Sequence, residues 1–232
     1  MLNSYEVICF DAGGTLFTPH PSVGEIYSEV ALKYGCRAEP LHIEEKFRAL
    51  WHKRDISGLV SLSDEKVEKE WWRTLVAEVF RHFPGVNGFD AFFEELYVEF
   101  AGPSRWKLFP ETMHVLQELK GRKKKLCVIS NWDSRLLHLC EGLGLSSYFE
   151  FILISAVFGA SKPSPKIFRE ALRRWGVDPS RAVHIGDSLE DDVRGAKGAG
   201  MDAVLIDRAK RKHAEPHHFE GVTVIHDLKE LL

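Results

Sequence analysis

Two patterns of hydrophobic and polar positions alternate along the chain. Short continuous apolar runs, each bounded by turn residues, occur near the N-terminus and again throughout the second half. Continuous runs of this length are typical of strands that are buried on both faces of a parallel sheet. They predict strands at residues 5–10, 125–129, 151–154, 182–185 and 203–206.

Stretches with helical periodicity separate the later strands. The predicted helices lie at residues 111–122, 134–143, 165–175 and 190–199. Strands that alternate with helices of this length predict an α/β fold, a doubly wound parallel sheet of the Rossmann-like kind. Ligands in such sheets bind at the carboxyl ends of the strands.

The middle of the chain follows a different pattern, with apolar residues at helical spacing and no convincing strand. Helices are predicted at residues 25–34, 43–53, 63–83 and 89–100, the third with Ser63 as its N-cap. We therefore predict an all-helical cap domain at 19–107, inserted into an α/β catalytic core of 1–18 and 108–232. The expected hinges, near 17–22 and 102–109, are rich in Pro, Gly and Ser.

Composition narrows the class of protein. The hydrophobic fraction of 44% is ample for a packed core, and the net charge of −3 comes from well-mixed signs. We therefore expect neither a nucleic acid nor a membrane surface as partner. The N-terminus reads as a first strand and not as a signal peptide, and no run of about 18 apolar residues predicts a membrane span.

The four cysteines form neither a CxxC pair nor a zinc-spaced cluster. Cys9 and Cys127 lie inside apolar runs. We interpret them as buried thiols in a reducing, cytoplasmic protein. The sequence does not decide whether the protein is a monomer or a dimer.

The first candidate site follows the first predicted strand, where Asp11 precedes Gly13, Gly14 and Thr15. An Asp at the end of a buried strand faces the carboxyl edge of the sheet. The paired glycines let the backbone turn sharply and approach a ligand. Taken alone, the motif is more simply an Asp that ends a strand in a turn.

Two further motifs carry a hydroxyl and a lysine. Ser130 and Asn131 end the second predicted strand, where they can hold a phosphoryl oxygen or cap the next helix. Lys162 lies in a loop that Pro163 and Pro165 rigidify. A lysine so held can neutralise a carboxylate and a phosphoryl group together; a solvated loop lysine is the alternative.

A cluster of carboxylates follows the fourth predicted strand. Asp187 precedes the predicted helix, and Asp191 and Asp192 lie in its first turn. Acidic residues at a helix N-terminus also suit the helix dipole, which is the simpler explanation. A site with hard oxygen ligands and few protein carboxylates suits Mg²⁺.

These four motifs, in this order and each after a strand, resemble those of the haloacid dehalogenase-like hydrolase superfamily. The resemblance covers the whole chain, and the helical insert after the first motif corresponds to the superfamily's helical C1 cap. The segment Ser130-Asn131-Trp132-Asp133 and the pair Trp71-Trp72 are similar to the haloacid dehalogenase-like hydrolase domain-containing branch.

The resemblance implies a phosphatase that acts on a small phosphorylated metabolite through an aspartyl phosphate on Asp11. Ser130 and Lys162 would be the other catalytic residues. The phosphate group would be bound by Ser130, Lys162, Asn131 and Gly14. Division of one hard displacement into two easier ones is ordinary covalent catalysis.

The resemblance also implies a Mg²⁺ cofactor, held by Asp11, the carbonyl of Gly13, and Asp187. Asp192 would orient Lys162 or a metal-bound water, with Asp191 as a weaker candidate. Thr15 is a further supporting residue.

Gly13 departs from the superfamily pattern, because most phosphatases of the group carry a second Asp there as general acid and base. Loss of such a group typically costs about 10²–10⁴ in rate. Three interpretations stay open. The leaving group is acidic, as in an acyl phosphate; another residue substitutes, with His20 and His52 as candidates; or the chain is a catalytically weak or inactive binding protein.

Two other chemistries of the superfamily fit less well. Dehalogenases need no metal and usually lack the last motif's Asp, so Asp187 argues against them. Phosphonate hydrolases use a cap lysine as a Schiff base, and Lys53 lies near that place, but a solvated lysine is favoured. Trp51, Trp71, Trp72 and Trp106 either line a cap pocket or, as we favour, belong to the core.

Overall fold

The computed structural model describes residues 2–53, 65–208 and 221–232. Its central feature is a six-stranded parallel sheet of order β5-β4-β1-β6-β7-β8, and β2 and β3 form a separate antiparallel pair. The strands are β1 (Val7–Phe10), β2 (Phe17–Pro19), β3 (Trp106–Leu108), β4 (Lys125–Ser130), β5 (Phe151–Ile154), β6 (Ala182–Gly186), β7 (Asp202–Ile206) and β8 (Thr223–Ile225).

The α/β prediction is confirmed, and all five predicted strands exist with ends within two residues. All four residues of β1 are buried, and Cys9 lies opposite Cys127 on one side and His184 on the other. Because the chain proceeds outward from β1 in opposite directions, through β4 on one side and β6 on the other, the carboxyl end of β1 is a topological switch point.

Helices cover both faces of the sheet. Ile8 and Phe10 pack into one apolar layer, and Val7 and Cys9 pack into the layer on the opposite face. This alternation is the two-residue period of a strand whose two faces are both buried. The helices of this part are α5 (Thr112–Gly121), α6 (Leu136–Gly142), α7 (Ser155–Phe158), α8 (Pro165–Trp175) and α9 (Gly195–Gly198).

The prediction of one continuous α-helix at 190–199 is wrong. A π-helical turn spans Leu189–Arg194, and the short α9 follows it. Ser188 caps the turn by accepting from the N–H of Asp191. Glycines at both ends of α9 lower the helix propensity, and π-turns occur frequently at functional sites.

Among the described residues of the middle of the chain, four helices form a separate apolar cluster. They are α1 (Val23–Lys33), α2 (Pro40–Lys53), α3 (Glu65–Phe80) and α4 (Phe89–Ala101). Their buried residues, among them Ile26, Ile43, Val79 and Phe92, pack on one another. The division at residues 19 and 107 stays a prediction, and this separate cluster supports it. The predicted cap Ser63 lies outside the described residues.

The middle of the chain, in which no strand is predicted, has a short strand at each of its two ends. Phe17 pairs with Leu108, and Pro19 pairs with Trp106, so β2 and β3 join the two connections between the sheet and the four helices. Three-residue strands are too short to produce a recognisable period. Cys9 and Cys127 are buried free thiols, as expected, and Cys36 and Cys140 are buried free thiols as well. Within the described residues, no helix combines the length and apolar character needed to cross a bilayer.

Candidate active site

The polar residues predicted at the strand ends converge at the carboxyl edge of the sheet. Asp11 follows β1 and Ser130 ends β4, which is its hydrogen-bonded neighbour. The Ser130 hydroxyl donates to Asp11 Oδ1 over 3.1 Å, and both side chains are buried. The contact follows from topology, because neighbouring parallel strands end side by side.

Lys162, in the loop before α8, also contacts Asp11. Its Nζ lies 2.6 Å from Asp11 Oδ1 and 2.6 Å from Asp192 Oδ1, and the side chain is only 3% exposed. A lysine buried between two carboxylates is held as a cation, and their charges raise its pKa although burial alone would lower it. Lys162 therefore places a fixed positive charge beside Asp11.

Asn131 fixes the lysine loop. Its Nδ2 donates to the carbonyl of Lys162 over 2.9 Å, and the N–H of Lys162 donates to Asn131 Oδ1 over 2.8 Å. The side-chain amide of Asn131 is thus occupied as a positioning group. If Asn131 contacts phosphate as predicted, the contact would be made by its backbone and not by its side chain.

Asp192, and not Asp191, holds the lysine. Besides Lys162, Asp192 Oδ1 lies 2.8 Å from His184 Nε2, and Oδ2 accepts from the N–H of Ser188 over 2.9 Å. Burial opposes its ionisation, yet Lys162 and His184 keep the pKa of Asp192 well below its ordinary value. Both oxygens of Asp192 are therefore engaged by protein groups.

Asp187 approaches the turn after β1. A Cβ added to Gly14 would collide with the Asp187 carboxylate, and Gly14 has a positive φ of 78°. Only glycine suits that backbone and that contact. Carboxylate oxygens of Asp11, Asp187 and Asp192 lie within 4.8 Å of one another.

This cluster favours a cation. Burial, followed by the charges of Asp11 and Asp192, raises the pKa of Asp187 to about 7, even though its carboxylate is open to the cavity. Burial also raises the pKa of Asp11 against the opposing charge of Lys162. Three oxygen donors at this spacing fit a hard divalent ion. Asp11 and Asp187 are the better ligands, since Asp192 is occupied.

Gly13 lies against the ring of Trp132. A Cβ at Gly13 would lie 2.8 Å from Cζ3 of the Trp132 ring, which is closer than real contacts allow. Trp132 itself packs on Phe17 and Trp106, with ring centroids 5.8 and 5.1 Å away. The indole therefore occupies space that a larger residue at position 13 would need.

The remaining predicted residues lie less centrally. Thr15 is buried, outside the cavity wall, and its Oγ1 has no hydrogen-bond partner among the described residues. The N–H of Gly14 donates to Phe17 O over 2.8 Å, so it is not available to phosphate in this arrangement. His20 and Lys53 are exposed and do not line the cavity, and the side chain of His52 lies outside the described residues.

A cavity of about 420 Å³ opens above Asp11, between the sheet edge and the four helices. Its wall includes Trp51, Trp72 and Trp106. Trp72 and Trp106 also pack against buried apolar clusters, so for these two residues the core and the pocket interpretations both hold. Trp71 is not in the wall and packs edge-on against Trp51 and Trp72. Aromatic spacing on a helix does not distinguish a core face from a cavity face.

Three consecutive residues after Trp132 fasten the sheet edge to the helices. Trp72 Nε1 donates to Asp133 Oδ2 over 2.6 Å, and Ser134 donates from its N–H and its hydroxyl to the buried Glu68. Arg135 donates to the carbonyl of Tyr97 over 3.0 Å. Asp133 and Arg135 also form a close ion pair.

Sequence reasoning missed several residues of the site. Trp132 and Arg135 stand beside the motif at Ser130, which was a usable signal. His184 lies in a predicted strand and carried no separate signal. Arg208 donates to the carbonyls of Gly14 and Thr15, supporting the turn after Asp11 from a distant part of the chain.

Known proteins are similar to this chain in sequence. A family model described as haloacid dehalogenase-like hydrolase matches residues 5–200. Haloacid dehalogenase-like hydrolase domain-containing protein 3 of Mus musculus is 33% identical over 204 residues, covering 87% of this chain and 81% of that protein. Glyceraldehyde 3-phosphate phosphatase of Methanothermobacter thermautotrophicus is 37% identical over 133 residues, covering 53% of this chain and 56% of that protein.

A solved structure agrees in fold. The HAD phosphatase from Thermococcus onnurineus superposes with a TM-score of 0.63 and 26% sequence identity, covering 97% of this chain and 95% of that one. The family match spans the strand ends at which Asp11, Ser130, Lys162 and Asp187 meet. This chain belongs to the haloacid dehalogenase-like hydrolase family.

Proposed function

We propose that this hydrolase is a Mg²⁺-dependent phosphatase that acts on a small phosphorylated metabolite through an aspartyl phosphate on Asp11. One observation carries the proposal: the Asp11 carboxylate lies on the cavity floor, bonded by Ser130 and Lys162 and beside Asp187. Relatives named as phosphatases support the reaction class.

The protein groups around Asp11 suit it for nucleophilic attack. Ser130 and Lys162 both donate to Oδ1, so we assign Oδ2 to the attack on phosphorus. The new bond is Asp11 Oδ2–P, and the bond from phosphorus to the leaving-group oxygen breaks, with the electron pair on that oxygen. Water then attacks phosphorus, and the Asp11 Oδ2–P bond breaks with its electron pair on Oδ2. This step regenerates the Asp11 carboxylate, and both protons of the water leave with inorganic phosphate.

Electrostatic stabilisation in this mechanism comes first from Lys162. Its charge is fixed by Asp192 and by the Asn131-clamped loop, so it is placed before the reaction begins. Asp11 and Asp187, with the carbonyl of Gly13 that the family resemblance implies, would hold Mg²⁺. When bound, the ion would supply Lewis-acid neutralisation of phosphoryl charge.

Gly13 and Trp132 determine which leaving groups suit the site. Position 13 offers no proton donor, and the indole fills the space above it. The leaving group then departs without a proton from that position. We therefore favour acyl phosphates, or esters of acidic alcohols, over simple alkyl phosphates.

A second candidate function rests on the same glycine. A catalytically weak or inactive protein would keep the pocket and bind a metabolite or a protein partner without turnover. The Asp11–Lys162–Asp192 network favours the enzyme, because it places a fixed positive charge beside the proposed nucleophile on the cavity floor. A cytoplasmic location stays a prediction.

The two candidates separate in one assay. Purified protein is tested with and without Mg²⁺ on phosphate esters and acyl phosphates graded by the pKa of the leaving group. We expect Mg²⁺-dependent turnover that rises steeply as the leaving group becomes more acidic and that Asp11→Asn abolishes. Asp178→Asn, which replaces an exposed carboxylate before β6 at the opposite edge of the sheet, is the matched control. Tight ligand binding without turnover of any compound would favour the inactive protein.

A further inference from the structure

The cavity has two chemically different ends, and the end formed by the helices is aromatic. We propose that it binds a flat, uncharged, largely apolar group, so that the substrate is a phosphate derivative of an aromatic or similarly apolar acid or alcohol. This assignment rests on the proposed phosphatase activity, which places the phosphoryl group at Asp11.

A continuous series of aromatic rings forms the wall. The rings of Trp72 and Trp51 stack at 5.7 Å with an angle of 17°, and Trp51 and Phe47 stack at 5.9 Å with an angle of 18°. Edge-on contacts then lead through Tyr27 to Phe100. The series continues to Trp106 and ends at Trp132 above Gly13. All seven rings line the cavity.

The polar edges of two of these rings are engaged inside the protein. Trp72 Nε1 donates to Asp133, and Trp106 Nε1 donates to the carbonyl of Phe100 over 3.1 Å. Their N–H groups are therefore not offered to a ligand. What the two indoles present to the cavity is carbon surface, which favours stacking with a flat group.

The aromatic end also carries no uncompensated charge among its described wall residues. Among the described wall residues, the charged side chains belong to the sheet edge and its loops, apart from Arg135. Arg135 is neutralised by Asp133, with contacts of 2.9 and 2.6 Å, and its guanidinium lies 3.8 Å from the centre of the Tyr97 ring. No uncompensated charge is left there to select a charged group.

These features decide between two substrate classes. A polyhydroxylated group such as a sugar would lose its hydrogen bonds to water against carbon surface, at a cost of a few kcal/mol for each unpaired hydroxyl. An aromatic group would lose none and would gain area burial and ring stacking. The cavity volume is within the usual range for small-molecule sites. The observations therefore favour the aromatic class.

Binding tests the assignment without turnover. Three phosphonates, which cannot be hydrolysed, are titrated calorimetrically into the full chain with Mg²⁺: methylphosphonate, benzylphosphonate and 3,4-dihydroxybutylphosphonate. Burial of one phenyl ring predicts that benzylphosphonate binds about 10–100-fold more tightly than methylphosphonate. The dihydroxybutyl compound should gain little. Tighter binding of the hydroxylated compound, or no binding of any of the three, would overturn the assignment.

A pair of variants locates the effect. Phe47→Leu removes one ring of the wall, and Phe83→Leu removes a ring that belongs to the same helical cluster but does not line the cavity. We expect Phe47→Leu to weaken benzylphosphonate several-fold and to leave methylphosphonate unchanged. Phe83→Leu should change neither. Equal losses in both variants would indicate a structural role only and contradict the assignment.

Turnover separates this inference from the proposed function. Benzoyl phosphate and acetyl phosphate have leaving groups of similar acidity but differ in the ring. A lower KM for benzoyl phosphate, lost in Phe47→Leu, supports both. Equal KM values with good turnover would leave the phosphatase standing and overturn the aromatic class. Tighter benzylphosphonate binding without any turnover would support the aromatic site and contradict the phosphatase.

Discussion

The two ends of the cavity differ in how their residues are held. At the sheet edge, Asp11, Lys162 and Asp192 are buried and joined to one another by hydrogen bonds. At the helical end, stacked rings such as those of Trp51 and Trp72 form the aromatic wall of the cavity. We infer that the first end carries the reaction and the second the choice of substrate. Changes at the first should alter kcat, and changes at the second should alter KM.

Lys162→Met should have the largest effect. It removes the cation between Asp11 and Asp192 and leaves two buried carboxylates without their shared lysine. We expect kcat to fall about 10²–10³-fold and the free energy of unfolding to fall by about 3–5 kcal/mol. Urea unfolding and steady-state kinetics measure the two losses. Retention of both kcat and stability would show that Lys162 is not the organising charge.

Arg135→Met tests the corresponding ion pair beneath the aromatic wall. Asp133 is fully buried and would lose its guanidinium partner, at a cost of about 3 kcal/mol in the free energy of unfolding. Because Arg135 also bonds the carbonyl of Tyr97, KM should rise more than kcat falls. Arg135→Lys keeps the charge without the two-pronged contact and should recover only part of the loss. A loss confined to kcat would contradict the division of roles.

Asp187→Ala should act on the ion alone. Loss of even an outer partner of a metal ligand typically costs 10–100-fold in affinity, so we expect Mg²⁺ affinity to fall by at least about tenfold. The fold should persist, because the Asp187 carboxylate is open to the cavity. Mg²⁺ titration followed by calorimetry measures the change, and thermal unfolding is the control. Equal Mg²⁺ binding by the variant would exclude Asp187 as a ligand.

Gly13→Ala changes the contact between the turn after Asp11 and the aromatic wall, and it should have the smallest effect of the four substitutions. The new methyl group would press on Trp132, at an overpacking cost of about 1–3 kcal/mol. Combination with Trp132→Ala should relieve that cost, so the two changes should not be additive. Urea unfolding of the single and double variants measures the coupling. Additive losses would mean that Trp132 does not explain the glycine.

The sheet edge was predictable because its signals are local. β1, β4 and β6 are buried on both faces and read as continuous apolar runs, so their ends, and the residues that follow them, could be placed. Lys162 was identified by its rigid loop and by the family resemblance. Asp192, which the resemblance favours over Asp191, is the residue that contacts Lys162, and its role in catalysis stays a prediction. β8, with two of its three residues exposed, has no such signal.

The aromatic end was not predictable in the same way. Trp51 and Trp72 occur at helical spacing whether they face a core or a cavity, and only the packing of α2 against α3 decides between them. The contact between Trp132 and Gly13 joins positions 119 residues apart in the chain and depends on side-chain packing. The local pattern of residues shows neither how two helices pack nor which distant side chains meet.

The central claim, that Asp11 becomes phosphorylated, has a direct test. The enzyme is mixed with excess acyl phosphate and Mg²⁺, quenched in acid during turnover, and digested for mass spectrometry. The peptide that contains Asp11 should carry the added mass of one phosphoryl group, and the same peptide from Asp11→Asn should not. Product formation with that peptide unmodified throughout, or with the phosphoryl group on another residue, would contradict the mechanism.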